Sequence, residues 1–390
     1  MVIFFLNILI TLFLIEFFLF LNIKYLQKKI PWIITNNDEY PLYDKLKIKN
    51  FLQKTHDSLL GWNWKPYGKH KEKINSKFNN IFFGKFGERK SIKLKKKYKF
   101  ASFGDSFVFC RYVKNKETWQ NYLATSSTFN GLNFGVGNYG LDQIYLKYLT
   151  TKIPKNIKTI FIGFVPETLS RCLCTWKHYH EFNNIYAFKP KFILKKKKLL
   201  LIKNPIKSYE SFININQNID SFKYKEFFNK EKFLKYKLSF PFLFSFLKNF
   251  NYNSKLFFFS YLKILKLNDE KIWDFIINHN CNKNDFYYLK NENKKLINKI
   301  LSKFLQQSKK NNHKIVFLIF PQKYDLAITQ KKYQNFYLKM KKKFNIVDFT
   351  EIFEKKNINK IYLPAKYGGH LTPYGNRVVA KTLLNKGLIV

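Results

Sequence analysis

The chain has 390 residues, enough for one large domain or for a domain with an insertion. It carries 71 Lys and Arg against 25 Asp and Glu, a formal net charge of +46, and its hydrophobic share of 46% supports a sizeable core. Four cysteines, Cys110, Cys172, Cys174 and Cys281, are too few for the disulfide framework of a small secreted scaffold.

The positive charge has two interpretations. A strongly basic chain can bind nucleic acid or an anionic membrane. Alternatively, the charge is compositional, since Lys, Asn, Ile and Phe are abundant throughout, as A/T-rich coding DNA produces. The lysines are spread along the chain and arginine, the better base-reading residue, is scarce. We favour the compositional interpretation and expect no nucleic-acid partner.

The amino terminus is almost wholly apolar from Val2 to Ile23, long enough to span a bilayer, with Glu16 as its one charged residue. It lacks a basic leader and a small-residue cleavage site, so residues 1–23 are predicted to be an uncleaved single-pass anchor. The lysines after it favour a cytoplasmic domain by the positive-inside rule, but in so lysine-rich a chain this bias is weak.

Residues 24–97 are predicted to be a juxtamembrane segment. Prolines and asparagines interrupt any periodicity, and the glycine-aromatic stretches at 61–64 and 83–87 indicate turns with short strands.

From residue 98 the pattern alternates between strand and helix. Strands are predicted at 100–103, 132–134, 157–164, 314–320 and 346–349, and helices at 117–124, 141–149, 333–343 and 374–385. This alternation predicts a three-layer α/β/α sandwich with a parallel sheet, covering residues 98–390.

The region from about 166 to 312 is predicted to be an insertion. It holds a hairpin at 190–202, a Phe-, Lys- and Leu-rich stretch at 220–265 with little regular period, and an amphipathic helix at 292–307. We considered three roles for it: a substrate lid, a membrane-facing patch and packing filler.

Two short strings carry most of the chemical information. Ser106, in Phe-Gly-Asp-Ser-Phe, directly follows the first predicted strand, and His370, in Gly-Gly-His-Leu-Thr-Pro, precedes the closing helix that Thr372 can cap. A serine hydroxyl becomes a good nucleophile when a base removes its proton, and histidine is the usual base. The alternatives are a helix-capping serine and a structural histidine.

These strings resemble those of the GDSL, or SGNH, hydrolase family. A glycine-bearing stretch at 133–143 resembles its second block, and the strand at 159–164 resembles the approach to its third block; the resemblance covers roughly 98–165 and 313–390. It implies that Ser106 is the nucleophile and His370 the base. Anchored members usually act outside the cytoplasm, which implies an extracytoplasmic catalytic domain.

Two parts of the family pattern are missing. The third block normally supplies an oxyanion-hole asparagine, but here the strand continues as Val-Pro-Glu-Thr, and the aspartate expected before the histidine is replaced by Tyr367 and Gly368. The backbone N–H groups of Ser106 and of Gly137 or Asn138 are therefore predicted as oxyanion donors, with the Asn138 side chain as a replacement for the missing asparagine.

The partner that orients His370 is left open. A backbone carbonyl can serve in place of an acid, and five carboxylates are candidates: Asp105, Glu167, Asp325, Asp348 and Glu351.

A polar region follows the third strand, and we expect substrate binding there. The predicted substrate-binding residues are Asp105, Glu167, Arg171, Lys177 and His178. Arg171 and Lys177 can hold a carboxylate, phosphate or sulfate; the alternative is a solvated salt-bridge network. Zinc binding by Cys172, Cys174, His178 and His180 is disfavoured, since one intervening residue between the cysteines is too few for the usual chelate and all four ligands would come from one short segment. We predict no metal and no cofactor.

The sequence therefore predicts a membrane-tethered serine esterase or O-acyltransferase acting on an acyl ester, with a cell-envelope glycan or lipid as the substrate class. One alternative is a catalytically inactive SGNH-like module that binds glycan. Another is a basic membrane-surface or nucleic-acid binder.

Overall fold

The computed structural model describes residues 1–74, 77–92 and 97–389, with the side chain of Phe222 left out. The predicted juxtamembrane segment 24–97 therefore contains six positions, 75–76 and 93–96, that lie outside the described residues, as does residue 390 of the predicted domain.

The described strands are β1 (His56–Asp57), β2 (Gly61–Trp62), β3 (Lys69–Ile74), β4 (Lys77–Phe82), β5 (Tyr98–Gly104), β6 (Asn130–Gly135), β7 (Thr159–Phe164), β8 (Lys191–Lys195), β9 (Lys198–Ile202), β10 (Lys314–Ile319) and β11 (Ile346–Asp348).

The described α-helices are α1 (Val2–Gln27), α2 (Lys45–Lys54), α3 (Ser106–Phe109), α4 (Trp119–Thr125), α5 (Leu141–Thr150), α6 (Thr168–Cys172), α7 (Lys177–His180), α8 (Tyr209–Ile213), α9 (Ile215–Lys223), α10 (Leu234–Tyr236), α11 (Phe242–Leu247), α12 (Phe250–Ile264), α13 (Lys271–Tyr287), α14 (Asn291–Asn311), α15 (Lys323–Leu326), α16 (Lys332–Met340), α17 (Thr350–Glu354), α18 (Ile358–Ile361) and α19 (Pro373–Asn385). Short 3₁₀ turns lie at Asn36–Asp38, Asn115–Glu117 and Ala365–Tyr367, and a π-helical turn at Asn229–Phe233.

The central sheet has five parallel strands in the order β11-β10-β7-β5-β6. Apolar side chains alternate between its two faces: Ala101 and Phe103 of β5 lie in one buried cluster, and Phe100 lies in the other. Helices α5, α14 and α16 cover the first face, and α4, α17, α18 and α19 cover the second. The predicted three-layer α/β/α sandwich with a parallel sheet is confirmed.

The predicted insertion shares the buried cluster on one face of the sheet, to which Phe192, Phe212 and Phe228 also belong. Its last helix, α14, packs Ile297, Ile300 and Phe304 into the cluster on the sheet, so α14 belongs to the sandwich. The hairpin is confirmed as β8 and β9. The stretch at 220–265, which has little regular period, nevertheless contains helices α9 to α12. Its period is obscured because α11 and α12 carry exposed phenylalanines as well as partly buried ones.

The amino-terminal region is more closely attached to the domain than the prediction of a separate segment implies. Ile34, Ile48 and Leu60 are buried in the same cluster as the sheet. The first helix extends to Gln27, four residues beyond the predicted anchor. Among the described residues, α1 is the one helix that is long and apolar enough to cross a membrane, and the apolar stretch that meets this criterion is not buried in the protein.

Candidate active site

A row of three glycines lies beneath α3, at the carboxyl ends of three neighbouring strands. Gly104 of β5 is paired with Gly135 of β6 and with Gly163 of β7. A Cβ on Gly104 would lie 2.1 Å from the Gly163 carbonyl oxygen, and one on Gly135 would lie 2.2 Å from the Phe109 nitrogen. The glycines therefore let α3 sit directly on the sheet edge, where β6 and β7 flank β5 and the strand order reverses.

Ser106 is the first residue of α3, and Asp105 fixes its position. Asp105 Oδ1 accepts a 2.9 Å hydrogen bond from the Phe107 N–H, and its Oδ2 accepts one of 2.9 Å from the Val165 N–H. Asp105 thus caps the helix and joins the end of β5 to the end of β7. The Ser106 N–H lies at the first helical position, where it has no intrahelical acceptor.

His370 is held by a tight turn and by its own backbone. Gly368 and Gly369 adopt positive φ angles of 70° and 57° just before it. The His370 carbonyl accepts a hydrogen bond from the Leu363 N–H, and Thr372 caps α19 directly after it. The imidazole is therefore positioned by ordered backbone on both sides.

The tautomer of His370 follows from its hydrogen bond. Its Nδ1 lies 2.6 Å from the carbonyl oxygen of Tyr367, and because a carbonyl only accepts, Nδ1 carries the proton. The lone pair then lies on Nε2. Burial, together with the nearby Arg111 guanidinium, lowers the pKa of His370 to about 3, although the hydrogen bond to Tyr367 acts in the opposite direction. The ring is therefore neutral near pH 7, with Nε2 unprotonated.

Ser106 and His370 line the same cavity, whose volume is about 460 Å³. Phe107, the neighbour of Ser106, packs against the His370 ring with 5.3 Å between ring centres. Within the described residues no hydrogen bond joins Ser106 Oγ to the imidazole. Such contacts are often long before substrate binds and tighten afterwards.

Helices of the insertion form the opposite wall of this cavity. Tyr252 of α12 and Trp273, Ile276 and Asn280 of α13 line it, together with Trp32, which lies just beyond the first helix. The insertion therefore contributes side chains to the same cavity as Ser106 and His370.

The three predicted oxyanion residues lie near one another. Ser106 and Asn138 line the cavity, and Gly137 lines an adjoining one of about 320 Å³ to which Asn138 also contributes. Asn138 has a positive φ of 64°, and its side-chain Nδ2 donates a 3.1 Å hydrogen bond to Glu181. Its side-chain amide is thus already engaged, whereas the backbone N–H groups of Gly137 and Asn138 have no acceptor among the described residues.

None of the five candidate carboxylates contacts Nδ1 of His370 in the described part of the chain. Asp105 and Glu167 bind Arg171, Asp325 accepts from the Gln322 N–H, and Asp348 accepts from Thr350. The Tyr367 carbonyl occupies the place of the acid. A backbone carbonyl has no sequence signature, so the residue sequence could not single it out.

The polar region after β7 forms a buried ionic cluster, not the solvated network considered as its alternative. Arg171 donates to Glu167 at 2.8 Å and to Asp105 at 3.3 Å, and all three side chains are at least nine-tenths buried. Lys177 donates to Glu181 at 2.6 Å. Although burial acts to raise it, the pKa of Glu181 is lowered by Lys177 and Arg171.

The predicted substrate-binding residues fall into two groups. Glu167 and Arg171 line the cavity. Asp105, Lys177 and His178 do not: Asp105 is the buried cap, Lys177 is paired with Glu181, and His178 Nε2 donates to the Asp38 carbonyl at 2.8 Å. These three side chains are engaged inside the protein, so the prediction that they contact substrate is not supported by their positions.

One group of side chains has the spacing of a metal site. Ligand atoms of Glu167, His180 and Glu181 lie within 4.8 Å of one another. Arg171 and Lys177 already donate to these carboxylates, and two neighbouring cations oppose the binding of a third. Of the four residues weighed for zinc, His180 belongs to this group, whereas Cys172, Cys174 and His178 do not; the two cysteines are free and buried.

Arg111 is the main site residue that sequence reasoning missed. It lines the cavity, and its Nε donates to the buried Glu72 at 3.1 Å. Burial acts to raise the pKa of Glu72, but hydrogen bonding to His70 and the charge of Arg111 lower it to about 2. The sequence signal that could have found it is the scarcity of arginine, of which the chain has only four. Two of these four, Arg111 and Arg171, line this cavity.

No protein-family model matches the chain, and no curated protein matches it. The chain is similar to a solved structure described as a "putative lipolytic protein of G-D-S-L family from Desulfitobacterium hafniense DCB-2", with 10% sequence identity and a TM-score of 0.32 over 73% of this chain and 96% of the other.

Proposed function

We propose that the chain is a membrane-tethered serine enzyme that cleaves or transfers acyl esters. The observation that carries this proposal is the arrangement of Ser106 and His370 on one cavity, with the imidazole proton held on Nδ1 by Tyr367 so that Nε2 is free to act as a base.

The proposed reaction has two stages. Ser106 Oγ attacks the ester carbonyl carbon while His370 Nε2 takes the hydroxyl proton, and the oxyanion is stabilised by the backbone N–H groups of Ser106, Gly137 and Asn138. When the C–O bond breaks, His370 returns the proton to the leaving alcohol, and the acyl group remains on Ser106. Water or a sugar hydroxyl then attacks the acyl carbon while His370 Nε2 takes its proton; the bond to Ser106 Oγ breaks, His370 returns the proton to that oxygen, and the free acid or the new ester leaves.

We further propose an extracytoplasmic domain and a cell-envelope glycan or lipid as the bearer of the ester. The α1 helix supports the membrane tether through its length and composition. Hydrolysis and transfer use the same residues, so the acyl acceptor decides between them.

A second candidate function is a glycan-binding module without catalysis. The presence of a carbonyl in place of the orienting carboxylate at His370 favours it, because a carbonyl stabilises the imidazolium less than a charged acid does.

Turnover of an activated aryl ester by the full chain in detergent separates the two functions. The proposal predicts that Ser106→Ala and His370→Ala each lower turnover by roughly 10³-fold or more. Ser126→Ala, an exposed serine at the end of α4, is the matched control and should keep wild-type turnover. Equal turnover in all four proteins would favour the binding module.

A further inference from the structure

One part of the insertion presents large apolar side chains to the outside. We call residues 240–258, which include α11 and the first part of α12, the apolar shelf. Phe240, Phe244 and Phe258 are 74%, 70% and 60% exposed, and Leu247 and Phe250 are also exposed. Exposed phenylalanines grouped within one segment mark an interaction surface.

The shelf is joined to α1 through a carboxylate. Glu16 accepts hydrogen bonds from the backbone N–H groups of Phe242 and Leu243, the latter at 2.8 Å. These are two of the N–H groups at the start of α11 that have no intrahelical acceptor. The Phe20 ring also packs against Phe242, with 5.7 Å between centres. Glu16, the single acidic residue of α1, therefore accepts hydrogen bonds from backbone N–H groups of the apolar shelf.

A group of aromatic side chains lies near the carboxyl end of α1, and it gives a reference for the depth of the Glu16 contact along the helix. We define the belt as Tyr25, Trp32, Tyr261 and Trp273. Tyr25 and Tyr261 are stacked, Trp32 and Trp273 are 4.6 Å apart between centres, and Lys263 lies over both tryptophans. Tryptophan, tyrosine and lysine of this kind are typical of a membrane–water interface.

Glu16 precedes Tyr25 by nine residues, which corresponds to about 14 Å along a helix that rises ~1.5 Å per residue. If α1 spans the bilayer with its belt at the interface, the start of α11 lies well within the hydrocarbon. Backbone N–H groups at that depth need a protein acceptor because water is absent, and Glu16 supplies one.

The composition of the shelf fits lipid. Residues 232–268 contain no Asp or Glu, while Lys248 and Lys255 can extend towards anionic headgroups. We propose that the apolar shelf is embedded in the bilayer beside α1, with the aromatic belt at the level of the headgroups. Trp32 and Trp273 also line the Ser106 cavity, so embedding brings that cavity to the membrane surface.

The proposal does not depend on the ester chemistry and is tested without a substrate. The full chain is reconstituted into phosphatidylcholine–phosphatidylglycerol vesicles with an environment-sensitive fluorophore on a single introduced cysteine. The native cysteines are all buried, which confines labelling to the new position. Phe244→Cys reports on the shelf, and Phe258→Cys is a second variant in case the first does not fold.

Leu338→Cys is the matched control. Leu338 is 57% exposed near the end of α16, which leads to the amino end of β11, whereas the Ser106 cavity lies at the carboxyl ends of the strands. Embedding predicts that brominated lipid removes most of the fluorescence at 244 and 258, while aqueous iodide quenches only at 338.

Quenching by iodide at 244 and 258 to the extent seen at 338 would overturn the proposal. Protection from both quenchers would overturn it as well, since it would mean that protein and not lipid covers the shelf.

Discussion

The Nδ1–H of His370 donates a 2.6 Å hydrogen bond to the backbone carbonyl of Tyr367, three residues earlier in the chain. This contact fixes which imidazole nitrogen can act as a base, without a carboxylate. Because the carbonyl belongs to the turn that carries the histidine, the turn itself orients the ring.

The pH dependence of kcat/KM tests the state of this imidazole. With its pKa lowered to about 3, chiefly by burial, His370 stays unprotonated and active well below the usual histidine range. The profile for an uncharged ester should therefore stay level from about pH 8 down to about pH 5. A loss of activity centred near pH 6.5, the ordinary histidine value, would contradict the assignment.

Removing the charge of Arg111 should shift that profile. Arg111 lowers the pKa of His370, so Arg111→Gln is expected to move the acid limb of kcat/KM towards higher pH. Arg377→Gln, at an exposed position on α19, is the control and should leave the limb in place. An unmoved limb in Arg111→Gln would show that this guanidinium does not act on the base.

Asn138→Gly separates the backbone donor from the side-chain donor of the oxyanion hole. Glycine keeps the N–H group and tolerates the φ of 64°, while it removes the amide that binds Glu181. Turnover is expected to stay within about tenfold of wild type if the backbone N–H is the donor. A loss of roughly 100-fold or more, in a variant of unchanged stability, would assign the role to the side chain.

Arg171→Met should destabilise the fold strongly. It leaves Asp105 and Glu167 buried without their common partner, which typically costs about 3–5 kcal/mol of unfolding free energy. Denaturant unfolding of the detergent-solubilised chain measures the change. Arg377→Met is the exposed control, expected to stay within about 0.5 kcal/mol of wild type; an equally small effect at Arg171 would show that the cluster is not stabilising.

Glu16→Leu should loosen the shelf from α1. It leaves the N–H groups of Phe242 and Leu243 without an acceptor, at a cost of about 1–3 kcal/mol when no water replaces it. Glu16→Gln retains an acceptor oxygen and should behave more like wild type. The measurement is the rate of limited proteolysis near residue 240 in detergent, which is expected to be faster in Glu16→Leu than in Glu16→Gln. Equal cleavage rates in the two variants would contradict the proposal that Glu16 holds the start of α11.

The fold was predictable because its signals are local, and signals of the same kind led to the prediction of Ser106 and His370 as site residues. Ser106 follows a strand and His370 precedes a helix, and the hydrophobic pattern marks both of these element ends. Gly104, Gly135 and Gly163 lie where a Cβ atom would clash with neighbouring atoms. The orienting carbonyl was not predictable, since every residue has one. Lys177 was expected to hold an anionic group of the substrate, but it is paired with Glu181 inside the protein.

The helices of the insertion were obscured for a different reason. Phe240, Phe244 and Phe258 are exposed, so the contrast between polar and apolar faces that reveals a helix in water is missing. Because this contrast is missing, the sequence could not decide whether the insertion is a substrate lid, a membrane-facing patch or packing filler.

The most direct test of the central claim is covalent labelling of the full chain with a fluorophosphonate, followed by mass spectrometry of its peptides. The account predicts one adduct on the peptide that contains Ser106, lost in Ser106→Ala and strongly slowed in His370→Ala. An unlabelled wild-type protein, or an adduct that persists in Ser106→Ala, would contradict it.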